Sequence, residues 1–228
     1  MISVICCTMR AQFMDNVFQN YSNQKWSEKE LIIILNKDHL NIKQWKKEAE
    51  SYKHVSIYQL PETHTLGECL NAAIQKAKYD YVAKFDDDDY YAPLYLNHAM
   101  ETLHKTKADV VGKRTVYMYF ESEKLLVVNN PNRENMYVRQ GLKGATLFFH
   151  KKICESIQFP KLNLGEDTVF LNQCVSNKLK LYSGDKRHYV CLRSSNTNHH
   201  TWNVSNTALK RKSSIVCSTA DYKSFINK

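Results

Sequence analysis

Apolar and polar positions along the first half of the chain alternate between two rhythms, and each rhythm predicts an element. Ile2 to Thr8 is an unbroken, mostly apolar run of strand length, followed by a helical stretch from about Gln12 to Tyr21. Leu31 to Leu35 predicts a second buried strand, Asn41 to Ser51 a polar-faced helix carrying Trp45, and Val55 to Leu60 a third strand. Thr65 and Glu68 then form a capping box ahead of Leu66, Leu70, Ala73, Ile74 and Ala77 at helical spacing. Ser27 and Glu30 have the same spacing in front of a strand, so the box alone does not make a helix. Tyr79 to Phe85 predicts the fourth strand. Strands alternating with helices imply βαβ units, right-handed crossovers and a largely parallel sheet.

After Pro93, well placed to start a helix, the rhythm changes. Ala108 to Phe120 and Lys124 to Asn129 predict a longer strand and its return, and Asn-Pro-Asn then breaks the chain. Gly144 to Phe149 predicts a strand. Lys151 to Ile157 and Asp167 to Asn177 predict helices, the second with Val169, Phe170, Cys174 and Val175 as its inner face. Leu179 to Tyr182 and His188 to Leu192 resemble short strands. A nucleotide-binding half, 1–92, is thus followed by a mixed half, 93–228, with no composition shift between them, and we expect a single domain over 1–228.

Composition narrows the class. At 228 residues, 43% hydrophobic and 24% charged, the chain can bury a sizeable core. Its longest aliphatic run, Leu31 to Leu35, is far short of the roughly 20 residues of a membrane span. Met1 to Cys7 has no basic region before its apolar stretch, so no secretory signal is expected. Seven cysteines without CxxC spacing predict reduced thiols and a cytoplasmic setting, not a disulfide framework or zinc site. A net charge of +9 favours anionic partners such as nucleotide phosphates, anionic lipid or a polyanionic polymer. No nucleic-acid motif accompanies it. Lys210-Arg211-Lys212 is the densest basic spot, read either as a solvated tail or as a peripheral contact with an anionic membrane or polymer.

Four consecutive aspartates, Asp86 to Asp89, close the fourth strand, and neither Lys nor Arg follows within the next ten residues. On an extended chain Asp86 and Asp88 share a face. Two carboxylates at the carboxyl end of a strand can seat a hard divalent cation, Mg2+ or Mn2+, with positions left for phosphate oxygens. The plainer alternative is a solvated acidic loop. In the metal-site reading Asp87 and Asp89 point the other way, toward the sheet or helix N-termini, as structural groups. Glu166-Asp167 stands at a predicted helix start, where acids also serve simply as caps. His199-His200 precedes Thr201-Trp202, and at most one of the adjacent histidines can face a single site.

Taken in order, ISVICCTMR, LPETHTLGECLNAAIQKAKYDYVAKFDDDDYYAP, ADVVGKR, GATLFF and GEDTVFL resemble the family 2 glycosyltransferases of the GT-A fold, over nearly the whole chain. A weaker resemblance is to bacterial surface-polysaccharide and spore-coat types. The family resemblance implies an α/β nucleotide-diphospho-sugar transferase fold: a mostly parallel central sheet flanked by helices, with a small mixed second sheet. It implies an inverting transfer of one sugar from a nucleotide sugar, most often a UDP-sugar, to a hydroxyl of a glycan or glycolipid. Asp88 would be a direct metal ligand, Asp86 would lie near ribose or metal, Asp167 would be the catalytic base, and His200 would complete the metal site. Thr8, Arg10 and Asp87 fall among the expected nucleotide contacts. In ILNKDH, Asn36 or Asp38 would stand where the family holds the base. Leu70-Asn71 replaces an Arg-Asn pair, which leaves Asn71 as a contact and Arg10 and Lys84 as candidates for the missing charge.

Three rivals remain at this level, the third a nucleic-acid binder that has the charge and 14 tyrosines in its favour but no motif. A sugar-1-phosphate nucleotidyltransferase needs a glycine-rich basic loop after the first strand, and CCTMRAQF has no glycine. A non-catalytic nucleotide-sugar or polyanion-binding module would keep the fold and lose turnover.

Overall fold

The computed structural model describes residues 1–194 and 204–227. Strands β1 (Ile2–Thr8), β2 (Lys29–Leu35), β3 (Val55–Gln59) and β4 (Tyr81–Phe85) arise from the four apolar runs. They pair in parallel in the spatial order β3-β2-β1-β4. Helices α1 (Met14–Ser22), α2 (Ile42–Ala49) and α3 (Leu66–Lys76) connect them. The Thr65–Glu68 box closes reciprocally at the start of α3. Glu30, by contrast, accepts from Ser3 Oγ at 2.7 Å and from the Lys78 N–H at 2.6 Å, so its carboxylate ties two strands instead of capping a helix.

The sheet continues through β10 (Phe148–His150), β6 (Val110–Gly112), β11 (Leu181–Ser183) and β9 (Met136–Val138), giving eight strands in the order β3-β2-β1-β4-β10-β6-β11-β9. β10 runs antiparallel to both β4 and β6, so β4 and β6 run the same way and their carboxyl ends share one edge. A second sheet holds β5 (Tyr90–Tyr91), β7 (Val116–Phe120), β8 (Leu125–Asn129), β12 (Tyr189–Arg193) and β13 (Ser213–Ser218), in the mixed order β13-β8-β7-β12-β5. A large, mostly parallel sheet flanked by helices and a smaller mixed second sheet are what the family resemblance implied.

Four local expectations are corrected. The single strand over 108–120 is divided between the two sheets. Beyond Gly112 side chains and a loop replace the ladder: Lys113 N–H donates to Thr146 Oγ1, Arg114 N–H to Ser183 Oγ, and the Lys113 carbonyl accepts from Lys143 N–H. Residues Gly144–Thr146 form a 3-10 turn, and only Phe148–His150 is strand. Tyr91 and Tyr95 hydroxyls take the carbonyls of Ala145 and Thr146 that a ladder would have used. Lys151–Glu155 winds as a 3-10 helix. In α5 (Glu166–Ser176) the inner face is Phe170, Leu171 and Cys174, with Val169 and Val175 half-buried. The short strands β5, β9 and β13 carried no run long enough to be read.

Apolar residues fill both faces of the main sheet, as strand alternation requires. Ile2, Val4 and Cys6 face one cluster with Phe18, Trp45 and α4 (Tyr95–Thr106). Ile5 faces another with α3 and α5. All seven cysteines are free, and among the described residues no helix is long and apolar enough to cross a membrane.

Candidate active site

The aspartate run is a turn, not an extended strand end, yet its side chains alternate as expected. Asp87 and Asp89 are buried, while Asp86 and Asp88 are only half-buried. Arg10, carried in extended conformation past the end of β1, spreads its guanidinium over the turn. Its Nε donates to Asp87 Oδ2 at 3.1 Å, its Nη2 pairs with Asp87 Oδ1, and its Nη1 lies 3.0 Å from Asp88 Oδ2. Thr8 Oγ1 also donates to Asp87. Burial pushes the Asp87 carboxyl above the usual carboxylate range, with Arg10 and Thr8 pulling against it and Asp88 adding to it. Asp89 accepts from the Tyr189 hydroxyl and from the Leu192 N–H at 3.1 Å, which ties the turn to the second sheet. The solvated-loop alternative therefore fails for Asp87 and Asp89, which are internal fasteners.

Lys84 supplies the other cation. It is 4% exposed on β4, and its Nζ donates to Asp86 Oδ1 at 2.5 Å. Burial disfavours its charge, but Asp86, with Glu166 and Asp167 beyond, outweighs burial and raises its pKa. One buried ammonium thus faces acids of both motifs. Glu166 is buried at the start of α5, and burial pushes its carboxyl up against the pull of Lys84. Asp167 is half-buried, and its Oδ1 accepts the Thr168 N–H at 2.6 Å, the local bond of a helix start. Its other oxygen rests against Gly144, where a β-carbon would come within 2.5 Å of Oδ2.

The remaining expected residues divide. Thr8, Arg10, Asp86, Asp87, Asp88 and Asp167 lie along the carboxyl edge of the main sheet. Asn36 is there too, but its amide donates to the Pro61 carbonyl at 2.9 Å. Asp38 is exposed in the following turn and accepts the Glu62 N–H at 3.1 Å. Asn71 is bound at both ends of its amide to the main chain of Phe159, on the flank of α3 beside an open cleft of about 790 Å³. His200 lies outside the described residues. Several supports carried no sequence signal, such as Tyr91, whose hydroxyl accepts the Asp86 N–H at 2.8 Å and donates to the Ala145 carbonyl at 2.7 Å. Asn16 and Asn20, which hold the carbonyls of Asp87 and Asp89, were legible only as an i, i+4 pair on α1.

Among the described residues no three metal-ligating side chains converge. Asp86 and Asp88 nevertheless fit a hard divalent ion, because Mg2+ and Mn2+ take one or two carboxylates and leave the other positions to phosphate and water.

Comparison with known proteins adds to this geometry. The model of the family described as "Glycosyl transferase family 2" matches residues 3–155. The O-antigen biosynthesis glycosyltransferase WbnJ of Escherichia coli is 34% identical over 160 residues, 67% of this chain and 63% of that protein. The structure of S. aureus TarS 1-349 in complex with UDP-GlcNAc superposes with a TM-score of 0.65 at 18% identity, over 90% of this chain and 62% of that one. Mannosyltransferase PcManGT from Pyrobaculum calidifontis, in complex with GDP-Man and Mn2+, gives 0.61 at 16% identity, over 84% and 56%. The chain thus spans less than two thirds of the length of each of these relatives.

Proposed function

The chain belongs to glycosyl transferase family 2, and from that premise we propose that it moves one sugar from a nucleoside-diphosphate sugar, with UDP as carrier, to a hydroxyl of a glycan or glycolipid acceptor, inverting the anomeric carbon. Likeness to an O-antigen glycosyltransferase supports a role in surface-glycan synthesis. The observation that carries this reading is the buried Lys84 ammonium, which bonds Asp86 at 2.5 Å and feels the charges of Glu166 and Asp167 as well, so that acids of both motifs bear on one cation.

The acceptor hydroxyl is a poor nucleophile at neutral pH, so a positioned carboxylate must take its proton as the new bond to the anomeric carbon forms. Asp167 has that role. It is half-buried and open to an acceptor, whereas Glu166 is turned inside. As its proton leaves, the acceptor oxygen attacks opposite the departing diphosphate, through an oxocarbenium-like transition state. Asp86 and Asp88 would hold a divalent ion, which would supply charge neutralisation on that leaving group. Thr8 and Arg10 hold the aspartate turn, and with Asn36 or Asp38 they line the nucleotide side.

Calorimetric titration with UDP, with and without Mn2+, tests the proposal. Metal-dependent binding is expected. No binding of UDP, GDP, CDP or dTDP under either condition would sink it.

A further inference from the structure

Arg114 stands beyond the end of β6 with its main chain held on both sides. Its N–H donates to Ser183 Oγ at 3.0 Å and its carbonyl accepts from Asn130 Nδ2 at 3.3 Å. The side chain lies flat along Gly141, where a β-carbon would come within 3.2 Å of Nε and 3.5 Å of Nη2. Gly141 has a φ of +81°, which a side-chain-bearing residue rarely adopts, so the bare surface under the guanidinium is built in. Yet Arg114 Nε is buried with no acceptor among the described residues. Buried donors are nearly always paired, and a guanidinium cannot shed its charge. Such an orphan is explained by a partner that arrives with a ligand.

Position identifies that ligand. β4, β10 and β6 are neighbours, and adjacent strands lie about 4.8 Å apart. Asp86 past β4 and Arg114 past β6 therefore stand on the order of 10 Å apart along the edge, at two strand spacings. Asp167, against Gly144 in the turn leading to β10, lies between them. Gly141 under Arg114 and Gly144 under Asp167 belong to one segment, whose ends can be at most about 11 Å apart. Arg114 is thus on the far side of the base from the aspartate turn, at the reach of a short saccharide. It is misplaced for the donor diphosphate and well placed for the acceptor. A chain of net charge +9 also suits an anionic acceptor.

Resting on the glycosyltransferase reading, we propose that Arg114 anchors an oxyanion, a phosphate or a carboxylate, carried by the acceptor saccharide near the hydroxyl that Asp167 deprotonates. A planar fork that binds two oxygens at once is suited to either group.

Arginine Nε–Hε NMR of the whole chain tests this, with Arg114→Gln used to assign the signal. The probes are p-nitrophenyl glucoside 6-phosphate, p-nitrophenyl glucuronide, the neutral glucoside and inorganic phosphate alone. A saturable shift is expected with a charged glycoside at a concentration at least about tenfold below the neutral one, the gap one charge-assisted contact produces. Whichever charged glycoside acts names the source of the oxyanion. Equal shifts from charged and neutral glycosides, an equal shift from inorganic phosphate alone, or no shift at all would overturn it. Cleavage of nucleotide sugars by the wild-type protein is measured alongside. Cleavage without a shift removes the Arg114 assignment alone, whereas a shift without cleavage upholds the oxyanion site and removes the transferase reading.

Discussion

Gly144 and Asp167 touch so closely that a β-carbon on Gly144 would come within 2.5 Å of Asp167 Oδ2 and 3.1 Å of its Cγ. The turn that precedes β10 is therefore the wall against which the proposed base is set. Its other support is remote in sequence: Tyr91 takes the Ala145 carbonyl while its hydroxyl also receives the Asp86 N–H. Both acidic motifs are positioned by a single turn.

Gly144→Ala should displace the Asp167 carboxylate and leave the fold intact, because the clash is with the end of a side chain and not with backbone. Misplacing a catalytic group by about 1 Å can cost on the order of 100-fold, and a drop of that size in kcat is expected with UDP affinity unchanged. Steady-state transfer kinetics beside calorimetry make the check. A variant with normal kcat would mean that the carboxylate does not need this wall.

Asp167→Asn should keep donor binding and lower transfer by roughly 100- to 10,000-fold, since a general base acts mainly in the transition state. Nucleoside diphosphate release measured with saturating acceptor reads it. Wild-type turnover would remove Asp167 from the mechanism.

Arg10→Ala should destabilise the fold as well as the site. It strips the fork from Asp87, which is 3% exposed and otherwise bonded through its side chain to Thr8. Breaking a buried ion pair costs about 3–5 kcal/mol. Protonation of Asp87, already held above the usual range by burial, should bring the loss to the low end of that range. Urea unfolding gives the number. An unchanged midpoint would show that Arg10 holds nothing.

Acid should weaken the second polar cluster. Burial works against the Asp185 carboxylate, but His98 at 3.1 Å and Arg187 at 2.7 Å outweigh it and hold its pKa far below the usual carboxylate range. A carboxyl depressed in the folded state contributes stability above its unfolded value, about pH 3.9, and loses it as pH falls below that toward the folded value. Thermal unfolding from pH 6 down to pH 2 should therefore show a steep acid arm, and Asp185→Asn should flatten it. Superimposable profiles would contradict the linkage.

Wherever local pattern and long-range packing agreed, the elements were legible: the four parallel strands, the Thr65–Glu68 box and the start of α5 all appear where the apolar spacing predicts them. The strand over 108–120 misled because apolar residues flank Lys113-Arg114-Thr115 on both sides while the hydrogen-bond partners change at Gly112, and only distant groups, Thr146 and Ser183, decide that. The same limit applied at the site. Asp86, Asp88, Glu166 and Asp167 stand out by type and order, because carboxylates clustered at strand and helix ends are costly without a task.

The sequence by itself determined the α/β alternation and where the acids cluster, since periodicity and residue chemistry are properties of neighbours along the chain, and the family followed from likeness to known members. Tertiary structure alone decided which acids are internal. It assigned Asp87 to Arg10, Asp89 to Tyr189 and Lys84 to Asp86. Burial and charge pairing depend on what arrives through space from up to a hundred residues away, and no local pattern records it.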